Sequence, residues 1–295
     1  MLNIAIIWGL IALFILQPGV AHDGAEVGAR LFVNALLPYL LPYIILTQWL
    51  LKVPGPTKAT APWKRFLKAY VLGSFGGFPV GAVTVSEMTK KKEVSQTQAK
   101  LLLAACHAPG PMFIIGFVGT ELFGDIRLGW KLLIAVHIAN ILFFLLTLIL
   151  LNTKNDFQEN HLPSIEQSPG MPFLDSIKES STIIILVATT VIFFSALGTV
   201  LANLLATIFS VDTGITQTFI LSIFEMTTGV QSATNHFSGL TIFPLIIAAI
   251  ISLNGLSIHM QVAVIAKTAG ISIRPYIFGR LWSVLLVPII FYFFL

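Results

Sequence analysis

One stretch, from Ser222 to Lys267, gathers most of the side chains able to do chemistry inside strongly apolar surroundings. It opens with Ser222-Ile-Phe-Glu225-Met-Thr-Thr228-Gly229 and runs on through Asn235 and His236. After an apolar run it resumes as Asn254-Gly255-Leu-Ser257-Ile-His259-Met-Gln261 and closes at Lys267. Hydrocarbon offers no water to such groups, so in a membrane they must face protein or an aqueous cavity. An ionised carboxylate there costs several kcal/mol unless it is paired or hydrated. Glu225 therefore reads as a proton- or Na+-coupling group or a solute acceptor, against the alternative of a satisfied packing carboxylate. Lys267 either pairs with Glu225 or an anionic solute, or extends its aliphatic stem to the cytoplasmic headgroups.

A second constellation lies between residues 70 and 120. Gly73, Gly76, Gly77, Pro79 and Gly81 crowd one apolar segment, and His107-Ala-Pro109-Gly110-Pro111 interrupts the next. Proline removes backbone donors and glycine permits unusual angles, so neither segment reads as one straight helix. Half-helix N-termini exposed at such breaks carry partial positive charge and suit carboxylates. Close packing of small residues is the competing reading for the glycines. His107 and His259 fall at corresponding breaks, as satisfied core residues or as donors to a bound carboxylate. The expected solute-binding set is thus Gly77, Pro79, Gly81, His107 and Gly110 from one stretch. Glu225, Thr228, Asn235, Asn254, Ser257, His259 and Gln261 join it from the other, with Glu225 and Lys267 as coupling residues.

Composition sets the frame. The 295 residues are 56% hydrophobic and only 10% charged, with mean hydropathy +0.90; soluble domains carry about 25% charge. This is a polytopic membrane protein, and its net charge of +4 reads as loop Lys/Arg holding orientation. No basic cluster interleaved with aromatics exists, so no nucleic-acid partner is expected. Cys106 is the single cysteine, which excludes an intrachain disulfide, a CxxC motif and a multi-cysteine metal site. No HExxH, GxSxG or phosphate-binding loop occurs. No catalytic residue, metal or cofactor is expected, and an intramembrane enzyme is the less favoured class.

These residues must be positioned by helices. The expected crossings are 2–18 (a retained first helix rather than a signal peptide), 31–51, 98–120, 128–151, 181–208, 240–271 and 281–295. Residues 21–30 read as a linker carrying both charge signs. Basic flanks on either side of 69–89 require an even number of passes, so that segment reads as a re-entrant hairpin turning at 75–81. Segment 216–237 reads as its counterpart. The halves 1–152 and 179–295, joined by a cytoplasmic linker at 153–178, then share one plan: span, hairpin, broken helix, span. Interrupted helices in corresponding positions point to an inverted-repeat transporter with a midplane site. With the N-terminus inside, Lys52–Lys68, Lys90–Lys100, Lys154–Lys178 and Arg274–Arg280 all lie in the cytoplasm. The expected fold is an all-α inverted-repeat, transporter-like bundle with two re-entrant hairpins and two broken helices.

Four blocks carry a family resemblance: Gly76-Gly-Phe-Pro79-Val-Gly81, His107-Ala-Pro-Gly110-Pro111, Phe224-Glu225-Met-Thr-Thr-Gly229 and Leu256-Ser257-Ile-His259-Met-Gln261. In order and spacing they resemble the sporulation integral membrane proteins of the nucleoside-recognition (Gate) domain family. The resemblance implies a bacterial inner-membrane or forespore-membrane transport role. Its implied cargo is dipicolinic acid, and it implies a distant architectural relation to the concentrative nucleoside transporters. A nucleoside or nucleobase transporter and a non-transporting structural sporulation protein stand as alternatives. The implied partners are a small-molecule solute, the lipid bilayer, a coupling proton or Na+ and further copies of the chain.

Overall fold

The computed structural model describes residues 2–53, 62–150 and 171–295. Every regular element among the described residues is helical. Helix α1 (Leu2–Leu16) is apolar on all sides and is followed after one residue by α2 (Pro18–Leu31). A π-type stretch, Phe32–Leu36, joins α2 to α3 (Leu37–Lys52) as one run of 35 residues. The linker expected at residues 21–30 is therefore helix. Pro18 starts it at a position needing no backbone donor, Arg30 pairs with Glu26 one turn earlier, and Gly24 and Gly28 pack tightly on a later helix through Thr199 and Ser195.

Helices α4 (Pro62–Gly76) and α5 (Val80–Lys90) fold back on each other. A methyl group on Gly73 would stand 3.1 Å from the Gly81 Cα, whereas eight residues of straight helix span about 12 Å. The reversal occurs at Gly77-Phe78-Pro79, with Gly77 at φ +73°, inside the range 75–81 expected. Helix α6 (Gln96–Ala105) starts at a reciprocal cap between Ser95 and Gln98. It stops at Cys106–Gly110, and the chain resumes at Pro111 into the π-type stretch Phe113–Leu122. Helix α7 (Ile126–Leu150) follows.

Helix α8 (Pro172–Phe209) runs unbroken for 38 residues, starting earlier than the expected 181 because Pro172 initiates it and Asp175 suits its positive end. The rest of the expected cytoplasmic linker lies outside the described residues. Next come α9 (Thr213–Phe224) and α10 (Met226–Phe237), hinged at Glu225. They lie antiparallel, held by a Thr218–Ser232 hydroxyl pair at 2.9 Å. Helices α11 (Phe243–Leu253) and α12 (Gly255–Lys267) are one span interrupted at Asn254, which has left-handed backbone at φ +75°. Helix α13 (Arg274–Tyr292) closes the chain. It begins well before the expected 281, so Arg280 belongs to a helix and not to a cytoplasmic loop.

Among the described residues, five helical runs are long and apolar enough to cross a bilayer: Pro18–Lys52, Ile126–Leu146, Pro172–Phe209, Phe243–Lys267 and Arg274–Tyr292. The other two expected crossings correspond to the shorter α1 and to the interrupted α6 with its π-type continuation.

Packing of the second hairpin depends on Gly229, where a methyl group would lie 2.7 Å from the Ser222 Cα and 2.8 Å from its nitrogen. Backbone atoms cannot swing aside, so Gly229→Ala should destabilise the protein by about 1–3 kcal/mol. Gly9→Ala, with no atom within 4 Å of the added methyl, should not. Thermal unfolding of the two variants in one detergent makes the comparison; equal melting temperatures would refute the packing described.

Candidate functional site

Both hairpin tips end against a helix break, and helix length puts the α11–α12 break deep in the layer. Asn254 divides a 25-residue apolar span, Phe243–Lys267, almost at its midpoint. Such a span crosses about 30 Å of hydrocarbon, so the interruption sits near the middle. The tip of the α4–α5 hairpin meets the α6 break, since a methyl on Gly77 would stand 2.7 Å from the Gly110 nitrogen. Gly81 lies in the same contact, against the Cys106 carbonyl and 3.4 Å from His107 Nδ1 by the same measure. The tip of the α9–α10 hairpin meets the α11–α12 break. There a methyl on Gly255 would lie 3.0 Å from the Met226 nitrogen.

At this second tip Glu225 is 1% exposed. Its carboxylate caps its own helix, accepting from the Thr228 backbone nitrogen at 2.7 Å. Its other oxygen accepts from the Ser257 hydroxyl at 3.4 Å, across the break. Thr228 Oγ1 donates to the Glu225 carbonyl at 3.2 Å. The carboxylate thus joins hairpin to broken helix while facing a cavity. That cavity, of about 30 Å³, is lined by Phe78, Pro109 and Gly110 from the first tip and break and by Glu225, Thr227 and Gln261 from the second. Spans contribute Leu36, Leu40, Val187 and Val191. It has room for a water or two, so a larger solute requires the tips to part. Thr227 Oγ1 is buried without a partner among the described residues. Gln261 donates to Thr190 Oγ1 at 2.8 Å.

A polar cluster lies beside this cavity. The buried Tyr276 hydroxyl contacts Asn254 Nδ2 at 3.3 Å and His259 Nδ1 at 3.0 Å. His107, 1% exposed, is sandwiched between the rings of Phe78 at 4.6 Å and Tyr276 at 4.9 Å. Neither of its ring nitrogens has a partner among the described residues. Arg280 stands 5.7 Å over the Tyr276 ring. Ser257 is engaged with Glu225 and His259 with Tyr276.

Of the expected residues, the structure brings Gly77, Pro79, Gly81, His107, Gly110, Glu225, Thr228, Asn254, Ser257, His259 and Gln261 to the two tips and breaks. It does not bring Asn235 or Lys267. Asn235 is exposed and accepts from Gln231; ten residues beyond Glu225 on α10, it lies about 15 Å away. Lys267 is exposed in the last turn of α12, ten residues past Ser257. Sequence reading missed Phe78, Tyr276 and Arg280. For Tyr276 and Arg280 the signal was an aromatic and a cation within an apolar run, hidden by starting the last span at 281.

Comparison with known proteins adds one relative. The chain is similar to the sporulation integral membrane protein YlbJ of Bacillus subtilis (strain 168), with 23% identity over 317 aligned positions, covering 92% of this chain and 77% of that protein. No protein-family model and no solved structure matches the chain. With five long apolar helices, this similarity makes the chain a multi-pass membrane protein.

Tyr276 is the joint of the polar cluster, and Tyr276→Phe strands Asn254 and His259 in one step. That variant should lose about 1–3 kcal/mol of stability. Tyr292→Phe, at a 63% exposed residue, should lose almost none. Melting temperatures measured side by side decide it, and an unchanged Tyr276→Phe would contradict the described network.

Proposed function

We propose that the chain, similar along 92% of its length to a sporulation integral membrane protein, transports a small polar or anionic solute. The observation that carries this reading is the meeting of two hairpin tips and two helix breaks around a cavity bordered by Glu225. A protein needing only a stable bundle has no use for four helix ends in hydrocarbon, where each unsatisfied backbone group costs several kcal/mol. Transporters place solutes at such ends because the ends supply oriented dipoles and can separate.

In this reading the two halves are inverted repeats and both hairpins are re-entrant. The occluded tips describe one state of an alternating cycle. The solute enters when one hairpin withdraws from its break, and the opposite side opens when the other does. Glu225 senses occupancy, because its bond to Ser257 ties the second tip to α12. A proton or Na+ at this carboxylate would couple movement of the tip to a gradient. Dipicolinate, moving toward the forespore, is the cargo the family resemblance suggests. Nucleosides and nucleobases form the alternative set, suggested by the resemblance to Gate-domain proteins. Related copies of the chain assemble as oligomers in this view.

Uptake into proteoliposomes by the purified chain tests the proposal. Saturable flux of dipicolinate or a nucleoside is expected, and Glu225→Gln should lower it about tenfold or more, as loss of one charge-assisted bond predicts. The variant should still fold, since the amide oxygen can accept from Thr228. Absence of flux for both solute classes, or full activity of Glu225→Gln, would overturn the reading.

A further inference from the structure

Arg280 is a cation in the wrong place for structural convenience. It is 3% exposed, and no carboxylate among the described residues pairs with it. A guanidinium remains protonated in proteins, and a buried charge without a counter-charge costs several kcal/mol. Its visible partners are neutral: NH2 donates to the Ala104 carbonyl at 3.2 Å and to Asn140 Oδ1 at 3.2 Å. Ala104 lies in the last turn of α6, whose C-terminus supplies roughly half a negative charge. That offsets part of the guanidinium and leaves the remainder.

Donors outnumber acceptors among the unused atoms around it. Arg280 Nε and Asn140 Nδ2 are buried donors with no partner, and His107 offers two unpartnered ring nitrogens, one of them a donor in the neutral ring. The acceptors left without a partner among the described residues are Asn254 Oδ1 and the second ring nitrogen of His107. Donors around an uncompensated planar cation form the complement of an oxyanion, and a carboxylate matches guanidinium geometry through paired bonds. Phe78 connects this cluster to the cavity, covering His107 on one side and lining the cavity on the other. Withdrawal of the first hairpin tip uncovers both together.

We propose that Arg280 is the residue that selects and holds the anionic group of the solute, a small carboxylate, with Asn140 and His107 as neighbouring donors. This rests on the transport reading for its route of entry but is tested by binding. A bound carboxylate would balance the part of the guanidinium charge that the α6 C-terminus and the neutral partners leave.

Asn140→Asp gives the sharpest test. Asn140 Oδ1 already accepts from Arg280 and from Ser283 at 3.4 Å, and the amide nitrogen it would lose has no partner. The substitution therefore installs an internal counter-charge with no loss of a hydrogen bond. The purified full chain would be titrated with dipicolinate and with its uncharged diamide, reading melting temperature. The wild type should be stabilised by the dicarboxylate and not by the diamide. Asn140→Asp should melt higher without ligand and bind the dicarboxylate at least tenfold more weakly. Arg280→Gln should lose the response, and Arg280→Lys should recover part of it. Equal responses to the two compounds, no response to either, or wild-type binding by Asn140→Asp would overturn the assignment. Nucleoside flux persisting alongside any of those results would leave transport standing without it. Arg280-dependent binding with no flux of any solute would instead sustain the anion site and remove the transport reading.

Discussion

An interrupted helix in a membrane span leaves backbone donors and acceptors that hydrocarbon cannot satisfy, and this constraint organises the structure. Each break is answered by a hairpin tip. The α6 break receives Gly77-Phe78-Pro79, and the α11–α12 break receives Glu225 and Met226. Contact at that range requires glycine on at least one side: Gly77 and Gly110 in the first pair, Gly255 in the second. A Cβ at these points would push tip from break and expose the polar ends to lipid. The long run Pro18–Lys52 and α8 line the gap with Leu36, Leu40, Val187 and Val191, which keeps the remaining cavity narrow.

The two tips differ in how their charge is handled. The second carries its own carboxylate, which caps α10 and takes a hydroxyl from α12. Beside the first stands a guanidinium supported by a helix C-terminus and an asparagine. Glu225 and Arg280 are both buried, yet they do not pair with each other. A chain of neutral groups separates them, Ser257 on Glu225 and Tyr276 between Asn254 and the guanidinium, and of the two only Glu225 lines the gap.

Much of this arrangement was legible in the residues. Gly77-Phe-Pro79 and Pro109-Gly110-Pro111 cannot continue a helix, so turn and break were visible as backbone chemistry. Glu225 stood out because a carboxylate amid apolar residues demands a partner. Asn235 misled because it follows Glu225 closely in sequence, while ten residues of helix carry it out of the gap. Lys267 misled in the same way, being polar and on the right helix but one span-half too far along. Arg280 was concealed by the opposite error: a basic residue near a helix start looks like a topology signal. Only the position of Arg274 at the true start shows that Arg280 lies almost two turns inside. The helicity of residues 21–30 was hidden by their charges, since the small face of Gly24 and Gly28 matters only once α8 is beside it.

The central claim is that the gap between the tips is reachable from water and responds to solute. It is tested most directly by a single cysteine at Thr227, a cavity-lining residue whose hydroxyl has no partner among the described residues, with Cys106 replaced by alanine. In proteoliposomes a membrane-impermeant thiol reagent should label Thr227→Cys slowly, and dipicolinate or a transported nucleoside should change that rate. An exposed control, Asn235→Cys, should label regardless of solute. Complete resistance of Thr227→Cys from both faces, with and without solute, while the control reacts, would contradict the account.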